Sequence, residues 1–159
     1  MKEFRERDRK MGTDKPGMPQ LWIVVPVFNR PDTSLFFIEQ MLRQSYEEFK
    51  LIIVDHGTRP LDVSHVADRR IRFLQASSDL WWTGAVNAGV RHVLNYSSSL
   101  DDFVLVINDD VRVQPEYLGS LVCVGRENPR TIVGSVCVTS DAERIMFAGV
   151  SLRVIQARF

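Results

Sequence analysis

A chain of 159 residues, 45% hydrophobic and 25% charged, has the size and composition of one globular domain with a sizeable core. Its 20 Lys and Arg balance 20 Asp and Glu, so a nucleic-acid binder is not expected and any bound anion must be held by a local site. No apolar run reaches membrane-spanning length, which suggests a cytoplasmic protein and leaves peripheral attachment at the inner face of a membrane open.

Residues 1–19, "MKEFRERDRKMGTDKPGMP", alternate charges of both signs and lack an apolar segment. They read as a solvated tail rather than a secretory signal, ahead of a folded domain over 20–159. "LWIVVPVF" is a continuous β-rich run, the signature of a strand buried on both faces. "NRPD" breaks it, and Asp32 is placed to cap a helix in which Leu35, Ile38, Met41 and Leu42 recur at helical spacing. "FKLIIVD" is a second buried strand ending at Asp55 before the turn "HGTRP", and "IRFLQ" is a short third. A helix is expected from Thr83 to about Tyr96, with Val86, Val90, Val93 and Leu94 on one face. "DFVLVIN" is the fourth strand, followed by a short helix over about Glu116–Glu127. "TIVGSVCV" and "RIMFAGVSL" supply further strands, with "TSDAE" as a hairpin turn between them. Cys123 and Cys137 lie among valines and read as small core residues, not as a disulfide or metal ligands.

Apolar strands alternating with helices predict an α/β fold, a mostly parallel sheet with helices on both faces. Ligands of such sheets bind beyond the carboxyl ends of the strands. Those ends carry Val27-Phe28-Asn29-Arg30, Asp55 and Asn108-Asp109-Asp110. A bare Asp-Asp is usually a turn or cap, but three strand ends here offer polar groups at once. Two carboxylates and a carboxamide make a hard oxygen site for Mg²⁺ or Mn²⁺, ions that complete their shell with phosphate oxygens. A cation would offset the repulsion of the adjacent aspartates. Asp55 reads equally as a turn residue or as an acceptor for a nucleobase ring N–H. In "DLWWTGAVNAG" one tryptophan is expected in the core, and the other, Trp82, as a flat wall for a base or sugar. The helix start near Thr83-Gly84 presents free amides to a phosphate, and Asn87 one turn on reaches the same ligand or bonds within its helix.

"IVVPVFNRPD", "LIIVDHGT", "DLWWTGAVNAGV" and "LVINDDVRVQPEYL", in this order over roughly Leu21–Val150, resemble the family 2 glycosyltransferases of the GT-A fold, most of all the rhamnosyltransferase-like branch. The resemblance implies a nucleotide-diphosphate-sugar donor (a dTDP- or UDP-sugar), a saccharide or lipid-linked acceptor, a divalent cation, inversion, and a place in polysaccharide biosynthesis. By position it implies that Pro26, Phe28 and Arg30 line the donor pocket and that Asp55 contacts the base. Asn108-Asp109-Asp110 stands at the Asp-x-Asp motif, with Asp110 as the first metal ligand and Asp109 nearer the ribose or sugar. Two positions depart from the pattern: Asn108 replaces an aspartate, and His56 stands where a second acid is frequent.

The family's general base belongs to an acidic pair after the segment that here reads "FAGVSL", and no such pair precedes Phe159. Glu116, Asp141 and Glu143 do not match it. The expectation is therefore a GT-A domain incomplete on its acceptor side, binding donor without transfer at an enzyme-like rate and exposing apolar surface prone to self-association. The alternative is a nucleotide-sugar-binding module. A nucleotidyltransferase would show a glycine-rich phosphate loop after the first strand, where this chain has "FNRPD".

Overall fold

The structure is a computed structural model that describes residues 18–139 and 144–147. Expectations for the charged tail up to residue 17, for the Asp141 turn and for the chain after Phe147 lie outside the described residues. The chain divides into two compact units at Gly119.

In the first unit, β1 (Leu21–Val27), α1 (Pro31–Leu42), β2 (Phe49–Asp55), β3 (Ile71–Gln75), α2 (Trp81–Tyr96) and β4 (Phe103–Val106) follow in order. The four strands form one parallel sheet in the order β3-β2-β1-β4. The predicted α/β sheet is thus the observed one. The two central strands are buried along almost their whole length, on both faces. Val24, Ile52 and Val54 pack with Ala85 and Val93 of α2, while Ile23, Val25, Leu51 and Ile53 fill the opposite side. Each of these valine, isoleucine and leucine side chains contributes roughly 1.5–3 kcal/mol of burial free energy.

Pro26 lies inside a central strand, where a missing N–H usually breaks a ladder. Here it does not. The carbonyl of Val24 faces β4, accepting from Ile107 N at 3.2 Å, and so does residue 26 two positions on. The β4 ladder ends at the Val24–Val106 pair, so the absent donor falls beyond it.

The connections set the faces. β1→β2 steps one way across the sheet and β3→β4 steps back past both, so right-handed crossovers put α1 and α2 on opposite sides. Pro31, pre-set for a first helical position, starts α1 one residue before Asp32. Asp32 therefore lies in the first turn, where it favours the helix dipole, and does not cap as expected. α1 buries Ser34, Phe37, Ile38 and Met41.

α2 begins at Trp81, two residues earlier than predicted, entered directly from a 3₁₀ turn at Ser78–Leu80. Its buried stripe is Ala85, Gly89 and Val93, and Leu94 is exposed rather than inward. The small residues explain the shift of face. A Cβ on Gly89 would collide with Val24 Cγ1 and stand 3.0 Å from Val54 Cγ2, so the helix rests on the sheet with its backbone close in.

α3 (Tyr117–Glu127) begins in the first unit and continues into the second. Its buried positions are Leu118, Val122 and Gly125, a helical stripe that excludes Cys123. In the second unit β5 (Cys137–Val138) pairs antiparallel with β6 (Ile145–Phe147). Thr139 N donates to Arg144 O at 2.8 Å, one residue beyond the paired strands. The long strand expected at "TIVGSVCV" is only these two residues, and both are exposed. Cys123 and Cys137 are thus surface thiols, not core residues.

Candidate functional site

The strand order reverses between β1 and β4: the chain builds outward to β3 and then returns to the other side of β1. In open α/β sheets ligands bind at such a switch point, beyond the carboxyl ends of the strands. Asn29 and Arg30 leave β1 there, and Asn108, Asp109 and Asp110 follow β4.

Arg30 joins the two loops. Its guanidinium forks, with Nη2 donating to Asp109 Oδ1 at 2.8 Å and Nη1 to Asp110 Oδ2 at 3.0 Å. The two adjacent aspartates are not equivalent. The Asp109 side chain is 1% exposed and its other oxygen accepts from Ser34 Oγ at 2.6 Å, whereas Asp110 is 47% exposed and Arg30 48%. The hydrogen bond to Asp110 and the charge of Asp109 push the Arg30 pKa above the usual arginine range, so the fork is held as a full cation. Ser34 Oγ also lies 3.0 Å from Arg30 O, but its single proton goes to the shorter contact with Asp109. Further along, Gln40 Oε1 accepts from Val113 N and Gln44 Oε1 from Leu118 N, so α1 also fixes the chain leaving the aspartates.

The β2 end is organised differently. Asp55 is buried, and its carboxylate accepts Gly57 N at 2.9 Å and Leu61 N at 2.7 Å, shaping the loop that follows. Asn29, at φ 53°, fastens that loop to β1: its Oδ1 accepts from Thr58 N at 3.0 Å and its Nδ2 donates to Thr58 Oγ1 at 3.1 Å. Asn tolerates the left-handed region better than most residues. Gly57 is confined between these groups, since a Cβ there would stand 2.8 Å from Asn29 Oδ1 and 3.1 Å from Asp55 Oδ1. Phe28 is half-exposed and its ring lies 5.1 Å from that of His56, tilted by 37°. His56 is buried, and its Nδ1 has no hydrogen-bond partner.

Most of the sequence matches a known family. The sequence model of glycosyl transferase family 2 covers residues 22–149, most of the chain. The chain belongs to glycosyl transferase family 2. Two proteins described as uncharacterized glycosyltransferases are similar over 102 residues, 60% of this chain. One, from Rickettsia felis, is 26% identical and the other, from Rickettsia conorii, 24%. The matched stretch is 17% of the length of either relative.

In this family 2 domain the predicted site residues are only partly gathered. Phe28, Asn29, Arg30, Asp55, Asn108, Asp109 and Asp110 collect at one edge of the sheet. Pro26 is buried within β1. The two tryptophans overturn the expectation that one is core: Trp81 is 79% and Trp82 51% exposed. Trp82 Nε1 donates to Asn108 Oδ1 at 2.8 Å, which brings its ring beside the carboxyl end of β4. Trp81 is held at φ 51°, a conformation costing a bulky residue about 1–3 kcal/mol. Because α2 starts early, Gly84 lies past the free first-turn amides. Its missing side chain instead makes room for Leu80, whose Cβ would be 2.8 Å from a Cβ on Gly84. Asn87 is exposed on α2.

Sequence reading missed Ser34 and the loop-building part of Gly57 and Thr58, and it noted His56 only as a departure. The position of Ser34, four residues after Arg30 on the inward face of α1, was the available signal.

A divalent cation would find a limited donor set. Among the described residues no group of three or more His, Cys, Asp or Glu side chains gathers. Both Asp109 oxygens are engaged by Ser34 and Arg30. Asp110 fits as a lone, accessible carboxylate, which suits an ion that takes one or two carboxylates and fills its shell with phosphate and water oxygens. No helix among the described residues is long and apolar enough to cross a membrane.

Proposed function

We propose that this domain binds a nucleoside-diphosphate sugar in the crevice between β1 and β4, as the donor half of an inverting glycosyltransferase. The observation that supports this most is the pair Asp109–Asp110 at the switch point, one carboxylate locked inside and the other presented to solvent beside a guanidinium. The pairing offers a diphosphate a cationic fork, and it offers a divalent ion one free carboxylate. The diphosphate lies against Arg30, and Phe28, backed by the buried His56, forms the aromatic floor on which the base stacks. Trp82 walls the β4 side. Asp110 would hold Mg²⁺ or Mn²⁺, and the ion would supply positive charge to the diphosphate oxygens. The donor class is a UDP- or dTDP-sugar, rhamnose among them, and the acceptor a saccharide or lipid-linked saccharide.

Calorimetric titration of UDP and dTDP, with and without Mg²⁺, tests the reading. Saturable binding that strengthens with the ion, and loses that dependence in Asp110→Ala, is expected. Equal affinity with and without metal in the parent chain would remove the metal site, and no binding of either nucleotide would remove the donor pocket. Transfer assays with labelled donors then separate an enzyme from a module that binds without turnover.

A further inference from the structure

The fork of Arg30 sets up a competition at Asp110. The guanidinium already satisfies that carboxylate at 3.0 Å, so an arriving cation must displace it. An arriving diphosphate makes the opposite demand, because it must draw the same guanidinium away from Asp110. Either ligand alone breaks the contact between Arg30 and Asp110. Bound together they break it once, and both halves find a new partner. We propose that Arg30 is a displaceable internal counter-ion that couples cation and diphosphate binding, holding cation affinity low until the diphosphate arrives. This rests on the donor reading above. Arg30 acts in it as a positioning residue for the cation and as a direct contact for the diphosphate.

The surroundings suit a swing rather than a release. Asp109 is buried, and Ser34 holds its other oxygen, so it keeps its own hydrogen bond from Nη2 of the guanidinium. The half-exposed Asp110 contact is the weaker of the two and opens first. Asp109 is thus a pivot for the guanidinium and Asp110 its resting place. Breaking a half-exposed ion pair corresponds to about a two- to fivefold change in affinity. By linkage, the factor by which cation strengthens nucleotide binding equals the factor by which nucleotide strengthens cation binding.

The test uses Mn²⁺ alone, read by electron paramagnetic resonance of the free ion, and UDP titrated with and without Mn²⁺. Arg30→Lys is the chosen variant. A single ammonium reaches one carboxylate at a time, and the buried Asp109 is the costlier one to leave unpaired. Asp110 is then free. Mn²⁺ alone should bind about two- to fivefold tighter to Arg30→Lys than to the parent, and the mutual strengthening of Mn²⁺ and UDP should fall by the same factor. Arg30→Ala should bind Mn²⁺ tighter as well and UDP more weakly. Thermal melts of each variant show whether it is folded, and Arg30→Lys, which retains a cation at Asp109, stands in if Arg30→Ala unfolds. Unchanged or weaker Mn²⁺ binding to folded Arg30→Lys overturns the counter-ion. If UDP binds no variant and no parent, the donor reading has failed, while the Mn²⁺ arm still decides whether Arg30 competes for Asp110.

Discussion

The ends of β2 and β4 each present buried acidic chemistry at the same edge of the sheet, yet they treat it differently. At β2 the carboxylate of Asp55 is consumed by its own loop, one oxygen on Gly57 N and the other on Leu61 N. At β4 the chain spends one aspartate on structure and presents the next to solvent: Asp109 is tied to Ser34 and Arg30, and Asp110 stands half-open beside it. A strand-end carboxylate is therefore not a ligand by position alone. The number of internal donors already on its oxygens decides what remains for anything else.

The comparison can be broken most directly at β4. Asp109→Ala should cost about 3 kcal/mol in urea denaturation, the upper end for losing a buried charged acceptor and stranding its donors. Asp110→Ala should cost less than about 1 kcal/mol, as expected of an exposed ion pair. Equal losses would erase the distinction between the two aspartates. At β2, Gly57→Ala should cost about 2 kcal/mol, because the new methyl meets Asn29 and Asp55 oxygens that are fixed by their own bonds. A thermal melt within error of the parent would show the loop to be looser than its hydrogen bonds indicate.

Asp55→Asn sharpens the contrast further. An amide keeps one acceptor but turns its NH₂ toward the other backbone N–H, a loss of about 1–2 kcal/mol. Amide exchange at Gly57 and Leu61 should accelerate while the sheet amides stay protected. Faster exchange throughout β2 instead would mean that Asp55 holds the strand and not only the loop. The smallest effect is expected at Trp82→Phe, which removes one exposed hydrogen bond to Asn108 and should shift stability by less than about 1 kcal/mol. Its UDP affinity should fall by more than its stability does, and an unchanged affinity would take Trp82 out of the pocket.

Much of the fold was legible because strands covered on both faces must be apolar throughout. "LWIVVPVF" and "FKLIIVD" left little else to be, and their observed bounds differ from the reading by a residue at most. The family resemblance was legible too, carried by four motifs in order. What could not be read was the destination of individual side chains. The sequence left Asp55 open between a turn residue and a base contact, and only its two amide donors show the turn work. The tryptophans misled because composition argues for burial, whereas small Ala85 and Gly89 take the face of α2 against the sheet and leave Trp81 and Trp82 outside. Cys123 and Cys137 failed for a related reason. A valine-rich neighbourhood does not bury a residue that falls off the helical stripe or lies in a two-residue strand.

Gly89 sets a mechanical tolerance for the whole arrangement. It lies seven positions after Trp82, roughly 10 Å along the helix axis. With its backbone pressed on Val24 and Val54, it acts as the fulcrum on which α2 rests, and the first turn is the free end of the lever. A single methyl at the fulcrum lifts the helix by the width of that methyl, and the displacement is felt at the far end, where the indole of Trp82 must still reach Asn108. The contact of Trp82 with Asn108 is thus gauged at a position that touches neither, in the middle of the core.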